Sequence, residues 1–190
     1  MVVGDLGLVE MADPHVRLQK KLRASDHDIQ VCTPNYRPPD VTLGSQRFQE
    51  DFDMWSFGCV AAELYSRQPL IAPAETAEQA ASGKDFVDAI AAIVGRPGQE
   101  AGVDVMSACA ASWLDELLPF FKKWYGLSGQ AWLTASAETA RAWPPPCLEG
   151  CPEGLLELIQ MCLVWHPPER MTAAEAKAKV RISPPVQTAF

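Results

Sequence analysis

Apolar residues along this chain recur at helical spacing in four places. Over residues 53–66, Met54, Phe57, Val60, Ala61 and Leu64 recur at three- and four-residue spacings, and Trp55 and Cys59 widen the apolar surface. Few positions there are charged, and a helix apolar on nearly every side belongs at the centre of a fold. Asp53 stands at its start, where a carboxylate caps the helix or meets its dipole. A second helix is predicted over about 85–94, with Phe86, Ile90 and Ile93 as its stripe, Gly95 as its stop and Pro97 barring continuation. A third covers about 154–163, with Leu155, Leu158, Ile159 and Cys162 on one face. Thr172 caps a fourth, over about 173–180, with Glu175 at the capping-box position.

Between these elements the pattern is different. Residues 1–10 read as a short strand turning at Gly7. Residues 11–35 form a long polar loop in which a basic cluster (Arg17, Lys20, Lys21, Arg23) precedes an acidic one (Asp26, Asp28). Pro34, Pro38 and Pro39 argue against a regular helix at the end of that loop. Residues 96–150 are irregular, with one helix expected over 112–125, scattered Trp and Phe residues and the run Pro144-Pro145-Pro146. No internal repeat is visible.

A chain of 190 residues fits one domain, and its 48% hydrophobic and 21% charged content is that of a globular protein. The net charge of −8 argues against a nucleic-acid surface, which needs clustered Lys and Arg. Asp5 and Glu10 interrupt any secretory signal near Met1, and no apolar run is long enough to span a membrane. Cys59 and Cys162 sit in apolar stretches and are expected to be buried thiols. Cys147 and Cys151 have no second ligand pair at metal spacing, so no zinc site is expected. Free thiols fit a reducing, intracellular compartment, cytoplasmic or nuclear. Hydrolase chemistry finds no support: Gly-x-Ser-x-Gly is absent, and His15, His27 and His166 read as solvated side chains in loops.

Four short segments carry the chemistry. They are Asp5-Leu6-Gly7, the stretch from Val31 to Asp40 (Val-Cys-Thr-Pro-Asn-Tyr-Arg-Pro-Pro-Asp), Asp53-Met54-Trp55-Ser56-Phe57-Gly58-Cys59, and Trp165-His166-Pro167-Pro168-Glu169-Arg170. Each alone is weak. In this order they resemble the second half of a protein kinase domain of the cyclin-dependent and MAP kinase-like (CMGC) group. The resemblance implies a mainly α fold, a kinase C-terminal-lobe fragment with a short N-terminal strand and a long activation-type loop. It would occupy residues 1–182, with an activation segment at 5–40, a helical lobe at 53–182, a diverged insert at about 96–150 and a tail at 183–190.

The same resemblance implies roles. Asp5 would hold the Mg2+ that bridges ATP phosphates and is the one cofactor- and metal-binding candidate. Thr33 and Arg37 would shape the protein-substrate loop, with Arg37 at the position associated with a preference for proline after the modified residue. Asp40 and Arg170 would form a structural pair pinning that loop, although the family has Glu at position 40. Asp53 would steady the catalytic loop. The activating phosphosite position holds Asp28, whose carboxylate carries about half the charge of a phosphate, and Ser25 stays a candidate phosphosite.

The glycine-rich loop, the strand Lys with its helix Glu, and the catalytic-loop Asp and Asn are not among these 190 residues, so no catalytic set is complete. One reading is therefore a Ser/Thr protein kinase lobe that transfers ATP phosphate to protein Ser or Thr in a longer form. The alternative is a non-catalytic, pseudokinase-like interaction module, and a third is a decayed product. Expected partners are protein substrates or regulators, not nucleic acid or membrane. A missing N-terminal half or a partner is expected to cover the central helix.

Overall fold

The structure is a computed structural model that describes residues 32–43, 49–72, 83–96 and 143–180. The chain divides into two compact units, 1–33 and 34–190; of the first, only Cys32 and Thr33 are described. The expected N-terminal strand, the charged clusters at 17–28 and the helix over 112–125 lie outside the described residues.

Among the described residues all regular structure is helical. The order is a 3-10 turn (Pro34–Tyr36), α1 (Pro39–Thr42), α2 (Glu50–Ser66), α3 (Gly83–Val94), a 3-10 turn (Pro146–Leu148), α4 (Glu153–Cys162), a 3-10 turn (Pro167–Glu169) and α5 (Ala173–Lys179). None of these helices is long and apolar enough to cross a membrane.

The prolines at 38 and 39 do not exclude a helix. Pro38 is extended (φ −62°, ψ 152°) and Pro39 opens the single turn of α1. A first-turn proline lacks only an N–H that would have no partner inside the helix. The central helix begins three residues before Asp53. Glu50, Asp51 and Asp53 all lie in its first turn, and Gln49 precedes it without a side-chain cap. Three carboxylates near the positive end of the dipole favour the start without a cap. Asp53 is therefore an exposed first-turn residue rather than the cap. α2 ends where Arg67 turns left-handed (φ 61°), its N–H bonded to Glu63 O at 2.7 Å. Gly95 stops α3 with φ 89°, a conformation that glycine adopts without strain.

Helix α2 is the hub. It packs on α4 and on all three 3-10 turns, while α1 packs on α3 and α4 on α5. Trp55, Cys59 and Ala62 of α2 are fully buried against Leu43, Ile71, Val87, Ile90, Ile159, Leu163 and Trp165. Met54 joins a second cluster with Leu158, Cys162, Met171 and Ala176. Trp165 donates its indole N–H to Gly95 O at 2.8 Å, tying the end of α3 to the C-terminal turn.

Phe57, Val60 and Leu64 face outward, on the central helix that a missing N-terminal half or a partner is expected to cover. α2 is apolar on two faces, and spacing alone does not say which one is covered. Gly58 decides it. A Cβ at that position would lie 2.7 Å from Cys162 Cβ and 3.1 Å from Leu163 Cδ2, so α2 and α4 cross at a distance that only glycine permits. His166 also departs from expectation: it is buried, with Nδ1 3.4 Å from Glu169 Oε1. The turn Pro167–Glu169 lays the ring against the fold rather than into solvent.

Thr172 and Glu175 complete a reciprocal capping box on α5. The Thr172 backbone N–H and then its hydroxyl, each 2.8 Å from Glu175 Oε2, hold the Glu175 carboxyl below its ordinary value. A depressed folded pKa means that this contribution to stability is present above about pH 4.5 and fades as pH falls below it. Burial has the opposite effect on a thiol and pushes Cys162 from 9.0 up to about 11.

Two outcomes follow from this packing. Gly58→Ala should lower unfolding stability by about 1–3 kcal/mol through overpacking. Gly154→Ala, where nothing lies within 4 Å, should be neutral or stabilise by up to about 1 kcal/mol. Urea unfolding midpoints read both, and equal effects would contradict the close crossing. Cys162 should resist alkylation in the folded chain. Because its folded pKa is raised, its contribution to stability is intact below pH 9.0 and is lost as pH rises towards about 11. A thermal melt series across that window, wild type against Cys162→Ala, measures it.

Candidate functional site

The segment from Pro34 to Asp40 is held at both ends and in the middle. Its prolines restrict the backbone at positions 34, 38 and 39. Arg37 N–H donates to Pro34 O (3.2 Å), and Thr42 Oγ1 donates to Pro38 O (2.9 Å), which fixes the bend into α1. Asn35 Nδ2 donates to Ile71 O at 2.7 Å. Tyr36 donates its phenolic O–H to Glu63 Oε2 at 2.6 Å, and Ser56 Oγ donates to Tyr36 O at 2.9 Å. Glu63 and Ser56 lie on one side of α2, so a single helix face grips both the side chain and the carbonyl of Tyr36.

The far end of the segment is anchored by charge. Asp40 and Arg170, 130 positions apart, are both buried, at 2% and 4% exposure. Arg170 Nη2 donates to Asp40 Oδ1 at 2.6 Å and to Trp165 O at 3.0 Å. Nε donates to Val164 O at 2.8 Å, and Nη1 to Asp51 O at 3.3 Å. The guanidinium lies 5.2 Å from the centroid of the Trp55 ring, within cation–π range. Asp40 accepts one arm of the fork. Main-chain carbonyls from the first turn of α2 and from the segment after α4 take the other donors. Four of the five N–H groups of Arg170 are engaged this way.

The remaining candidates are placed less tightly. Thr33 is exposed and Arg37 half-buried, and Cys32 has a positive φ of 66°. Asp53 is exposed on the first turn of α2 and is not drawn into the Asp40–Arg170 cluster. Asp5 and Ser25 lie outside the described residues. No group of three His, Cys, Asp or Glu side chains suited to a metal occurs among the described residues. The described residues therefore offer no cradle to test against ATP or Mg2+, and no step is derived through either.

Three contacts escape the sequence pattern: Asn35 with Ile71, Tyr36 with Glu63, and Ser56 with the Tyr36 carbonyl. A signal existed for one of them. Glu63 is the lone charge in the apolar run 54–64, and a carboxylate half-buried beside a core needs a donor.

Arg170→Ala should strip the buried Asp40 of its counter-charge and lower unfolding stability by about 3–5 kcal/mol. Tyr36→Phe removes one charge-assisted hydrogen bond and should cost about 1.5–3 kcal/mol. Denaturant unfolding of the three proteins checks the order. An Arg170→Ala loss no larger than that of Tyr36→Phe would show that the pair is not the main anchor.

Comparison with known proteins agrees with this arrangement. The sequence model of the family described as "Protein kinase domain" matches residues 2–180. Cyclin-dependent kinase 2 of Caenorhabditis elegans is 37% identical over 70 residues, covering 37% of this chain and 19% of that protein. Mitogen-activated protein kinase 15 of Xenopus laevis is 29% identical over 146 residues, 77% of this chain and 21% of the relative. Extracellular signal-regulated kinase 2 of Dictyostelium discoideum is 27% identical over 148 residues, 78% of this chain and 33% of the relative. Among solved structures, the MAP kinase LmaMPK10 of Leishmania major aligns with a TM-score of 0.51 at 25% identity, over 83% of this chain and 40% of that one. The chain thus spans between about a fifth and two fifths of the length of these relatives. It belongs to the protein kinase domain family, with relatives of the CMGC kind, and its described part is the helical architecture of the kinase C-terminal lobe.

Proposed function

We propose that this chain is the substrate-loop-bearing helical lobe of a Ser/Thr protein kinase of cyclin-dependent or MAP kinase-like type. The observation that carries the reading is the anchorage of residues 34–40: the buried Asp40–Arg170 pair at one end and the Tyr36–Glu63 bond in the middle. A loop that must receive a protein substrate has to hold its main chain in one shape. This segment is held by prolines, by α2 and by the C-terminal turn. Arg37 lies between the two anchors and supplies the positive charge of the substrate loop, with Thr33 preceding them. Asp40 and Arg170 are positioning groups that act through the backbone of the loop.

Phosphate transfer from Mg-ATP needs a phosphate-cradling loop, a Lys on a strand and a catalytic-loop Asp and Asn. These 190 residues contain no such set, and Asp5 is one carboxylate. The chain by itself is therefore catalytically incomplete in this reading, and its partners are protein substrates or regulators. A second reading, a non-catalytic interaction lobe, draws support from the outward-facing apolar stripe of α2.

The purified 190-residue chain, incubated with Mg-ATP and peptides carrying Ser-Pro or Thr-Pro, should yield no phosphopeptide by mass spectrometry. Transfer that Asp5→Ala abolishes would overturn the incomplete-lobe reading. The substrate-loop assignment is tested by peptide binding measured in the same protein. Arg37→Ala should weaken binding of the Pro-containing peptide several-fold while leaving the melting temperature in place. Unchanged binding would sink the role given to Arg37.

A further inference from the structure

The peptide group that joins Tyr36 to Arg37 has both of its polar atoms committed. Its N–H, on Arg37, donates to Pro34 O at 3.2 Å. Its carbonyl, on Tyr36, accepts from Ser56 Oγ at 2.9 Å. On the other side of Arg37 stands Pro38, whose ring crowds the residue before it and pushes the Arg37 backbone towards the extended region. With that torsion restricted, the tilt of the Tyr36–Arg37 peptide plane is the main freedom left that turns the Arg37 side chain.

The Ser56 hydroxyl has one proton and two acceptors in reach, Tyr36 O at 2.9 Å and Phe52 O at 3.3 Å. Phe52 O lies one turn back on α2, where the helix already supplies a backbone donor. A serine bonded only there would do nothing outside its own helix. The shorter bond instead crosses to the loop, 20 positions away. The other two side-chain contacts on this stretch act further from Arg37. Asn35 donates from its side chain to Ile71 O, and Glu63 accepts from the phenol of Tyr36, at the far end of a rotatable side chain.

We propose that Ser56 is the positioning residue for Arg37. By donating to the Tyr36 carbonyl it fixes the plane of the Tyr36–Arg37 peptide, and with it the direction in which the guanidinium is offered to a Pro-containing peptide substrate. This role rests on the substrate-loop reading of Arg37. It divides the work of α2: Glu63 holds the Tyr36 ring in place, and Ser56 aims the residue that follows.

Amide hydrogen exchange, followed residue by residue by NMR on the full 190-residue chain, reads the peptide plane directly. Ser56→Ala should speed exchange at the Arg37 amide roughly five- to tenfold, the loss of one hydrogen bond, relative to the Leu43 amide, which is bonded to Pro39 O. Ser56→Thr keeps the hydroxyl and should return the rate to that of the wild type. No acceleration at Arg37, or equal acceleration at both amides from a general loss of stability, would overturn the proposal. Fluorescence anisotropy with a labelled Thr-Pro peptide reads the consequence. Ser56→Ala should weaken binding several-fold, and adding it to Arg37→Ala should weaken binding no further, because Ser56 acts through Arg37. A further loss in the double variant, or binding indifferent to Ser56→Ala where Arg37→Ala weakens it, would also overturn the proposal. If Arg37→Ala itself leaves peptide binding unchanged, the substrate-loop reading falls, while exchange at Arg37 still decides whether Ser56 fixes the plane.

Discussion

A guanidinium out of contact with water must be given back the hydrogen bonds that water supplied, and the described fold is arranged around meeting that need for Arg170. Its donors reach α1 and the first turn of α2, both more than 100 positions away in sequence, and the segment following α4 close by. The Trp55 ring sits close by. Removing a charge from water costs several kcal/mol, and only good geometry offsets it. The pair is therefore a test of correct assembly: it is favourable only when all three pieces are in register. This also explains why a shorter acid is tolerated at position 40. The carboxylate takes a single arm of the fork, and the carbonyls of Asp51, Val164 and Trp165 take the rest.

From that anchor the positions of the other elements follow. Arg170 fixes the start of α2 through Asp51, and α2 in turn grips Tyr36 from the side bearing Ser56 and Glu63. The loop segment is thus held indirectly by the same charge that holds α1. The shape of this segment comes from a chain of short hydrogen bonds as well as from the burial of Pro38 and Pro39. Those bonds are directional where apolar contact is not.

Much of this was legible in the amino-acid order, and the reasons for the rest are physical. The four helices with clear spacing are present, within three residues of the expected limits, and the Thr172–Glu175 capping box is the one its spacing announces. The pairing of Asp40 with Arg170 came from resemblance to a family. Nothing in periodicity links residues 130 apart. That the central helix would need further cover was legible, but not that Phe57, Val60 and Leu64 form its bare face, because a helix apolar all round gives no sign of which face its neighbours choose. Nor was the burial of His166, which depends on the local turn at Pro167–Glu169. The start of α2 lies three residues before Asp53, and of the two roles open to that carboxylate it takes the second, meeting the dipole in a first turn of three acids.

The crossing of α2 over α4 has a consequence for how this fold changes over time. Gly58 and Cys162 divide a fixed space between two backbones, so neither position is free to grow while the other stays as it is. Growth at one requires loss at the other, or a shift of an entire helix that would carry Ser56, Glu63 and the loop they hold along with it. Two sites 104 positions apart are in this way bound to drift together, and the narrowest point of the core limits how the segment around Tyr36 can diversify.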